Sequence, residues 1–413
     1  MTPEPLTFVL FGASGDLTSR KILPALASLA ASEMLPDPFV LVGIARTPWS
    51  DEEFRKVCLE AAAPESRRDQ ATPDPTSDRS WEAAVSKFRY VTGDYDADET
   101  FASLAGVLAE LDDREGTGGN RCFYLATIPQ LFGEVAAGLG RHGLNQPARG
   151  GSFARLVIEK PFGEDLSSAR ALDSCLHESF AEDQIYRIDH YMGKETVQNV
   201  LALRFANAIF EPIWNRRYVD QVQVTVAESL GVEHRGSFYE GAGALRDIVQ
   251  NHVMQVLALT LMEPPTTMEP TAIRDEKVKL LRSIMVPAPP SVQREVVRAQ
   301  YDSGRLDGLA VPAYREEDGV ASRSTTETFV AMRLHVDNWR WAGVPIYVRT
   351  GKRLAKRATQ VSMLFQRAPH LAFVRALVQD LQPDALVLRI QPDEGISLCF
   401  GAKVPGQAFR VRT

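Results

Sequence analysis

The stretch Leu6-Thr7-Phe8-Val9-Leu10-Phe11-Gly12-Ala13-Ser14-Gly15-Asp16-Leu17, continued by Thr18-Ser19-Arg20-Lys21-Ile22-Leu23-Pro24-Ala25-Leu26, decides the fold class of this chain. The apolar run between Pro5 and Gly12 predicts a buried parallel strand. The apolar spacing after Leu17 predicts a helix. Strand, glycine turn and helix together make a phosphate-binding geometry. Small residues let backbone N–H groups approach a pyrophosphate, and the helix N-terminus adds a favourable field. The pattern reads GxxGDL rather than the full GxGxxG, so it carries weight only together with the strands that come after it in the chain.

The next apolar run, Phe39-Val40-Leu41-Val42-Gly43-Ile44-Ala45, predicts a second strand. An NAD-selective site places Asp or Glu near the end of that strand, to accept from the ribose 2′-hydroxyl. Here the end reads Ala45-Arg46-Thr47. A guanidinium cannot accept that bond but pairs with a 2′-phosphate, so NADP is favoured over NAD. Residues 64–80 are rich in Pro, Asp, Ser and Arg without a period and read as a loop. Phe88-Arg89-Tyr90-Val91, Arg121-Cys122-Phe123-Tyr124-Leu125-Ala126 and Arg155-Leu156-Val157-Ile158 predict further strands. The last of these runs into Glu159-Lys160-Pro161, which brings Lys160 to the carboxyl edge of the sheet, where nucleotide ligands bind.

The bulk properties are those of a globular chain long enough for two domains: 413 residues, 45% hydrophobic and 24% charged. A net charge of −7 disfavours general binding to nucleic acid or an anionic membrane. Cys58, Cys122, Cys175 and Cys399 form no CxxC pair, which argues against a zinc site or a disulfide framework. No signal-peptide pattern and no apolar run of about 18 residues is present, so a cytoplasmic protein is expected.

The chemistry concentrates in Arg187-Ile188-Asp189-His190-Tyr191-Met192-Gly193-Lys194-Glu195. If this stretch is helical, His190 and Lys194 stand at i and i+4 and converge on one point, as a phosphate dianion requires. Beyond it the rhythm changes. Val222, Val224 and Val226 alternate with polar residues, as in a half-buried antiparallel strand, and the layout becomes α+β. The boundary is expected near residue 185, giving domains 1–185 and 186–413. Glu228 comes directly after that strand. Asp247 opens a helix on which His252 shares a face with Ile248 and Val256, a setting more typical of a core histidine than of a base. Residues 263–325 read as loops and helices. Strands are expected at Thr328–Val336, Ile346–Arg349 and Leu386–Ile390, with basic Lys352, Arg353, Lys356 and Arg357 between the last two.

In that order, the motifs GASGDL at 12–17, EKPFG at 159–163, RIDHYMGKE at 187–195, RDIVQNH at 246–252, NWRWAGVP at 338–345 and RTGK at 349–352 closely resemble the glucose-6-phosphate dehydrogenase family. The resemblance implies a Rossmann-type α/β N-terminal domain and an α+β C-terminal domain with a large, mainly antiparallel sheet. It implies oxidation of glucose 6-phosphate at C1, with hydride passing to NADP. His252 would be the general base and Asp189 its partner. His190, Tyr191 and Lys194 would hold the phosphate. Lys160, Glu228, Asp247 and Lys352 would bind sugar hydroxyls, with Arg357 or its neighbour Lys356 near the phosphate; spacing does not decide between those two. Gly12, Ala13, Ser14, Gly15, Asp16, Leu17, Arg46 and Lys160 would bind NADP, with Tyr95 near the adenine. No metal, nucleic acid or membrane is called for, and a homodimer or homotetramer is implied. The family continues past the end of this chain, so the second domain is expected to be incomplete at its C-terminus. Ile128 stands before Pro129 where many relatives carry a second proline. The alternatives are another NAD(P)-dependent sugar or polyol oxidoreductase and a catalytically silent NADP-binding relative.

Overall fold

The structure, a computed structural model, describes residues 4–62, 75–306, 308–370, 372–373, 381–406 and 411–413. It divides into two compact units, Met1–Ile188 and Asp189–Thr413.

The first unit is built on six parallel strands: β1 (Leu6–Phe11), β2 (Phe39–Ala45), β3 (Arg89–Thr92), β4 (Arg121–Leu125), β5 (Ala154–Glu159) and β6 (Ile185–Ile188), in the spatial order 3-2-1-4-5-6. That is the doubly wound dinucleotide-binding order. Both faces of the sheet are covered, which explains the unbroken apolar runs. On β1 and β2, Val9, Phe11, Val40, Val42 and Ile44 join one core, while Leu10, Phe39 and Leu41 join the other. A helix, Pro75–Val85, begins inside the segment read as a loop and buries Trp81 and Val85, one turn apart, in the second of these cores. Tertiary burial thus overrides a polar, proline-rich composition. Residues 63–74 of that segment lie outside the described residues.

The second unit carries a mixed sheet. Its members include β7 (Val219–Ala227), β8 (Ile284–Met285), β9 (Val296–Ala299), β12 (Phe329–Val336), β13 (Ile346–Gly351), β14 (Ala358–Phe365), β15 (Ala385–Gln391) and β16 (Gly395–Cys399). A separate hairpin is formed by β10 (Gly304–Leu306) and β11 (Leu309–Val311), so short strands enter the 263–325 region read as loops and helices. Most pairs are antiparallel, with one exception that corrects the expectation for β7. It pairs antiparallel with β14 but parallel with β13. Alternation reports that one face is buried, not the direction of the neighbour. Because β7 and β13 run together, their C-terminal ends share one edge, and the Glu228 N–H donates to the Gly351 carbonyl at 2.9 Å.

One face of this sheet packs on a long helical segment that starts as the π-helix Leu245–Val253 and continues as the α-helix Met254–Leu261. The carbonyls at a helix C-terminus have no intrahelical donors. Here side chains supply them. Arg204, fully buried, donates to the carbonyls of Leu259 (2.9 Å) and Met262 (2.8 Å). Trp214 Nε1 donates to Thr260 at 2.7 Å, and Trp341 Nε1 to Leu261 at 2.7 Å. Arg204 pairs with Glu211 at 3.1 Å, and Arg340 also reaches Glu211, at 2.8 Å. The NWRWAGVP stretch is therefore part of a cap. Arg204→Met should cost roughly 3–5 kcal/mol of unfolding free energy, because it strips two buried carbonyls and part of an ion pair at once; urea denaturation of the variant measures the loss.

Candidate active site

In the first unit, the turn after β1 closes through Gly15 N–H to the Gly12 carbonyl at 2.9 Å. Gly12 sits at φ +84°, and a Cβ there would meet the Ala126 carbonyl oxygen at 2.4 Å, so only glycine fits. Thr18 Oγ1 donates to the Gly12 carbonyl at 2.9 Å, which ties the turn to the helical segment Thr18–Ile22 and Leu23–Ala31. Ser14 accepts from Thr47 Oγ1 at 2.8 Å, joining the turn to the end of β2. Ala13 is buried, whereas Ser14, Asp16, Leu17 and Arg46 are exposed around it. Arg46 lies 4.0 Å from Asp94 in the open. Tyr95 is buried beneath the turn; its hydroxyl accepts from Gly12 N–H at 3.0 Å and donates to the Ile44 carbonyl at 3.3 Å. It props the glycine turn from below. Lys160 follows β5, half-buried. Ile128 is exposed beside Pro129. A turn that admits no side chain at Gly12, with an exposed arginine at the next strand end, fits a 2′-phosphorylated dinucleotide.

The second unit holds the other candidates. Residues 189–194 are not helical. The Met192 N–H donates to the Asp189 carbonyl at 3.0 Å and Lys194 N–H to Tyr191 at 3.2 Å, and the helix Glu195–Phe205 starts only after them. The i,i+4 pairing of His190 with Lys194 therefore does not form. What the turns do instead is aim each side chain separately. His252 Nδ1 lies 2.6 Å from Asp189 Oδ1, and the same oxygen accepts the Tyr191 N–H at 2.9 Å. Tyr191, buried, stacks on the His252 ring at 4.2 Å and 16°. His190, exposed, meets His252 edge-on at 4.4 Å. Burial pulls the Asp189 carboxyl up, but the His252 hydrogen bond and charge, with the Tyr191 N–H and His190, outweigh it and hold it below the usual range. Burial keeps the Tyr191 phenol raised and hence protonated, a donor.

A second group forms on Gln391, at the end of β15. Its Oε1 accepts from Lys194 Nζ at 2.7 Å and from Arg357 at 3.4 Å, while its amide donates to Thr359 at 3.1 Å. The Lys194 ammonium lies 4.0 Å from the Tyr191 ring centroid. Burial, then Arg357, push the Lys194 pKa down, against the opposing pull of Glu394 and Asp189. A dianion at this point would relieve that repulsion. Of the two neighbours that spacing left equal, both exposed, Arg357 is the one hydrogen-bonded to Gln391 in this cluster. Gln391 and Thr359 were missed by sequence reading. The one available signal was Gln391 at a strand end just before Pro392-Asp393-Glu394.

A third group sits where β7 and β13 end together. Lys352 Nζ and Glu228 Oε2 are 2.5 Å apart, and the ammonium lies 5.3 Å from the buried Tyr239 ring. Glu228, Lys352, Tyr239, His234 and Arg357 line a cleft of about 650 Å³. Asp247 is buried in the first turn of the π-helix. Met254 N–H bonds to the Val249 carbonyl, an i→i+5 contact, and Ile248, His252 and Val256 are all buried, as their shared face predicted. Asp189, His190 and His252 also lie close enough to share one ion, but two of them are already joined in the imidazole–carboxylate bond.

The sign of the Asp189 shift makes a prediction. Its folded pKa lies below its unfolded value of about 3.9, so the bond stabilises fully above about pH 4 and is lost as pH falls through the folded pKa. The stability difference between the wild type and Asp189→Asn should therefore be constant near neutrality and shrink on acidification, as read by urea denaturation across pH.

The description "Glucose-6-phosphate dehydrogenase, NAD binding domain" matches residues 9–199, and "Glucose-6-phosphate dehydrogenase, C-terminal domain" matches residues 201–413. Glucose-6-phosphate 1-dehydrogenase 2 of Mycobacterium tuberculosis is 47% identical over 408 residues, covering 99% of this chain and 78% of the relative. Glucose-6-phosphate 1-dehydrogenase of Bacillus subtilis is 44% identical over 400 residues, covering 97% and 79%. A solved structure of glucose-6-phosphate dehydrogenase with its substrate glucose 6-phosphate superposes with a TM-score of 0.87 at 34% identity, covering 100% of this chain and 81% of that one. With both family models matched along nearly its whole length, the chain belongs to the glucose-6-phosphate dehydrogenase family.

Proposed function

We propose that this chain oxidises glucose 6-phosphate at C1 to the 1,5-lactone, with NADP as acceptor, and that the residues of its second unit do so in three groups. The observation that carries the reading is the 2.6 Å bond between His252 Nδ1 and Asp189. With Nδ1 bound to a carboxylate, Nε2 is the nitrogen that takes the C1 hydroxyl proton. Asp189 fixes the tautomer and stabilises the imidazolium that forms. Stacking under Tyr191 holds the ring plane. As the O–H proton passes to His252, the C1–H bond pair leaves as hydride and the C1=O bond forms. Bound NADP supplies the hydride acceptor, at nicotinamide C4. The Gly12–Leu17 turn and Arg46 of the first unit are proposed to hold its pyrophosphate and 2′-phosphate, with Lys160 near them.

Lys194, Arg357, His190 and the Tyr191 hydroxyl are proposed to take the 6-phosphate. Two cations already crowded on one amide oxygen suit a dianion. Glu228, Lys352 and Asp247 are proposed to read the sugar hydroxyls. The Lys352–Glu228 pair offers a donor and an acceptor side by side, each holding the other in place. The family also carries the expectation of a homodimer or homotetramer in the cytoplasm; no described helix is long and apolar enough to cross a membrane.

His252→Asn should lower kcat by about 10²–10⁴-fold with KM little changed, since a general base contributes on that scale; NADPH formation followed by absorbance measures it, and surviving turnover would move the base elsewhere. Lys194→Ala should raise KM for glucose 6-phosphate about 10–100-fold, because a hydrogen bond to a charged group is worth about 1.5–3 kcal/mol. If the same variant leaves KM unchanged and glucose serves as well as its phosphate, the phosphate assignment fails.

A further inference from the structure

We propose that Glu327, which none of the motifs contains, is a positioning residue that sets the register of the π-helix carrying Asp247 and His252. The preceding helix, Gly236–Ala244, breaks at Gly243, whose φ of +65° and ψ of 175° are non-helical. The chain then re-enters a helix at Leu245, with its first N–H groups in need of acceptors. Glu327 supplies two of them. Its backbone carbonyl accepts from Ala244 N–H at 3.0 Å and its side-chain Oε1 from Leu245 N–H at 3.0 Å. The side chain is buried, 11% exposed, with Arg298 3.6 Å from its other oxygen. A Cβ on Gly243 would stand 2.6 Å from Oε1, so the carboxylate fills the space that a side chain there would need.

Register matters because of the spacing between the two functional residues. Five positions apart on an α-helix they would point about 140° away from each other. In a π-helix, which turns about 82° per residue, the same spacing leaves only about 50° between them, so both lie toward one side. A nine-residue π-helix is a rare and poorly favoured conformation, so it must be imposed from its ends. Arg204, Trp214 and Trp341 fix the end of the α-helix that continues it, and Glu327 fixes the near end, two residues before Asp247. Releasing Leu245 N–H would let the first turn slip toward ordinary α-helical bonding and swing Asp247 away from His252.

The inference rests on the roles proposed for Asp247 and His252, so its test has one readout that does not. Glu327→Gln keeps the accepting oxygen, Glu327→Asp withdraws it by one methylene with charge retained, and Glu327→Ala removes it. In the full chain, Glu327→Asp and Glu327→Ala should lower kcat about tenfold or more and displace the pH profile of kcat, while Glu327→Gln stays within about threefold of the wild type. Amide hydrogen exchange over residues 244–253 should quicken about tenfold in the first two and not in the third. If Glu327→Ala does not fold, Glu327→Asp carries the comparison. Wild-type kcat, pH profile and exchange in Glu327→Asp would overturn the proposal, and so would a Glu327→Gln variant as impaired as Glu327→Asp. A wild-type chain inactive on glucose 6-phosphate would defeat the functional reading alone, because the exchange measurement would still decide the role of Glu327.

Discussion

The second unit depends on one buried set of hydrogen bonds, those that close the C-terminus of the helix ending at Leu261. Three consecutive carbonyls and the next one along are met by Arg204, Trp214 and Trp341. An unmet buried carbonyl costs about 1–3 kcal/mol, so the helix end has one comfortable position. Arg204 belongs to the helix that begins directly after Lys194, and Trp341 to the turn between β12 and β13. The cap thereby couples three elements in one place: the helix with His252, the segment with Asp189, and the strand that ends at Lys352. A bond of 2.6 Å between side chains 63 positions apart requires that kind of rigidity.

The polar site that results is left unrelaxed. Among the described residues, Lys194 and Arg357 share one neutral acceptor, Gln391, rather than each pairing with a carboxylate. Lys352 is paired, but with a partner at the rim of a cleft rather than deep within it. Positive charge held close, partly desolvated and incompletely neutralised raises the energy of the empty site and lowers that of one holding an anion. In a chain of net charge −7, such concentration has to be local. The same logic applies to the glycine turn of the first unit, where Tyr95 and Thr18 brace the backbone from below and leave the outer surface to a ligand.

Much of this was legible in the amino-acid sequence. The parallel sheet was readable because strands covered on both faces are apolar throughout, and Gly12 because a left-handed, sterically closed position admits nothing larger. The RIDHYMGKE stretch announced a site by density of functional groups alone. The geometry inside that stretch was not readable. A run of polar residues has no period from which to tell a turn from a helix, and the turns were needed to send His190 and Lys194 to different partners. The helix from Pro75 was hidden for a related reason: its two buried anchors, Trp81 and Val85, are outnumbered by polar neighbours.

The sequence by itself determined the chemistry available: which acids, bases and cations exist, and that a dinucleotide-binding half precedes an α+β half. Tertiary structure alone decided which of them meet. The parallel pairing of β7 with β13, which side-chain alternation cannot signal, brought Glu228 to Lys352. The break at Gly243 and the π-helical restart at Leu245 set the register in which Asp247 and His252 are both buried. Gln391 became the hub of the cationic cluster only because β15 lies next to β14. Residue type is a local property, whereas strand direction, helical register and hydrogen-bond partners are settled by contacts across long stretches of chain, where no local pattern records them.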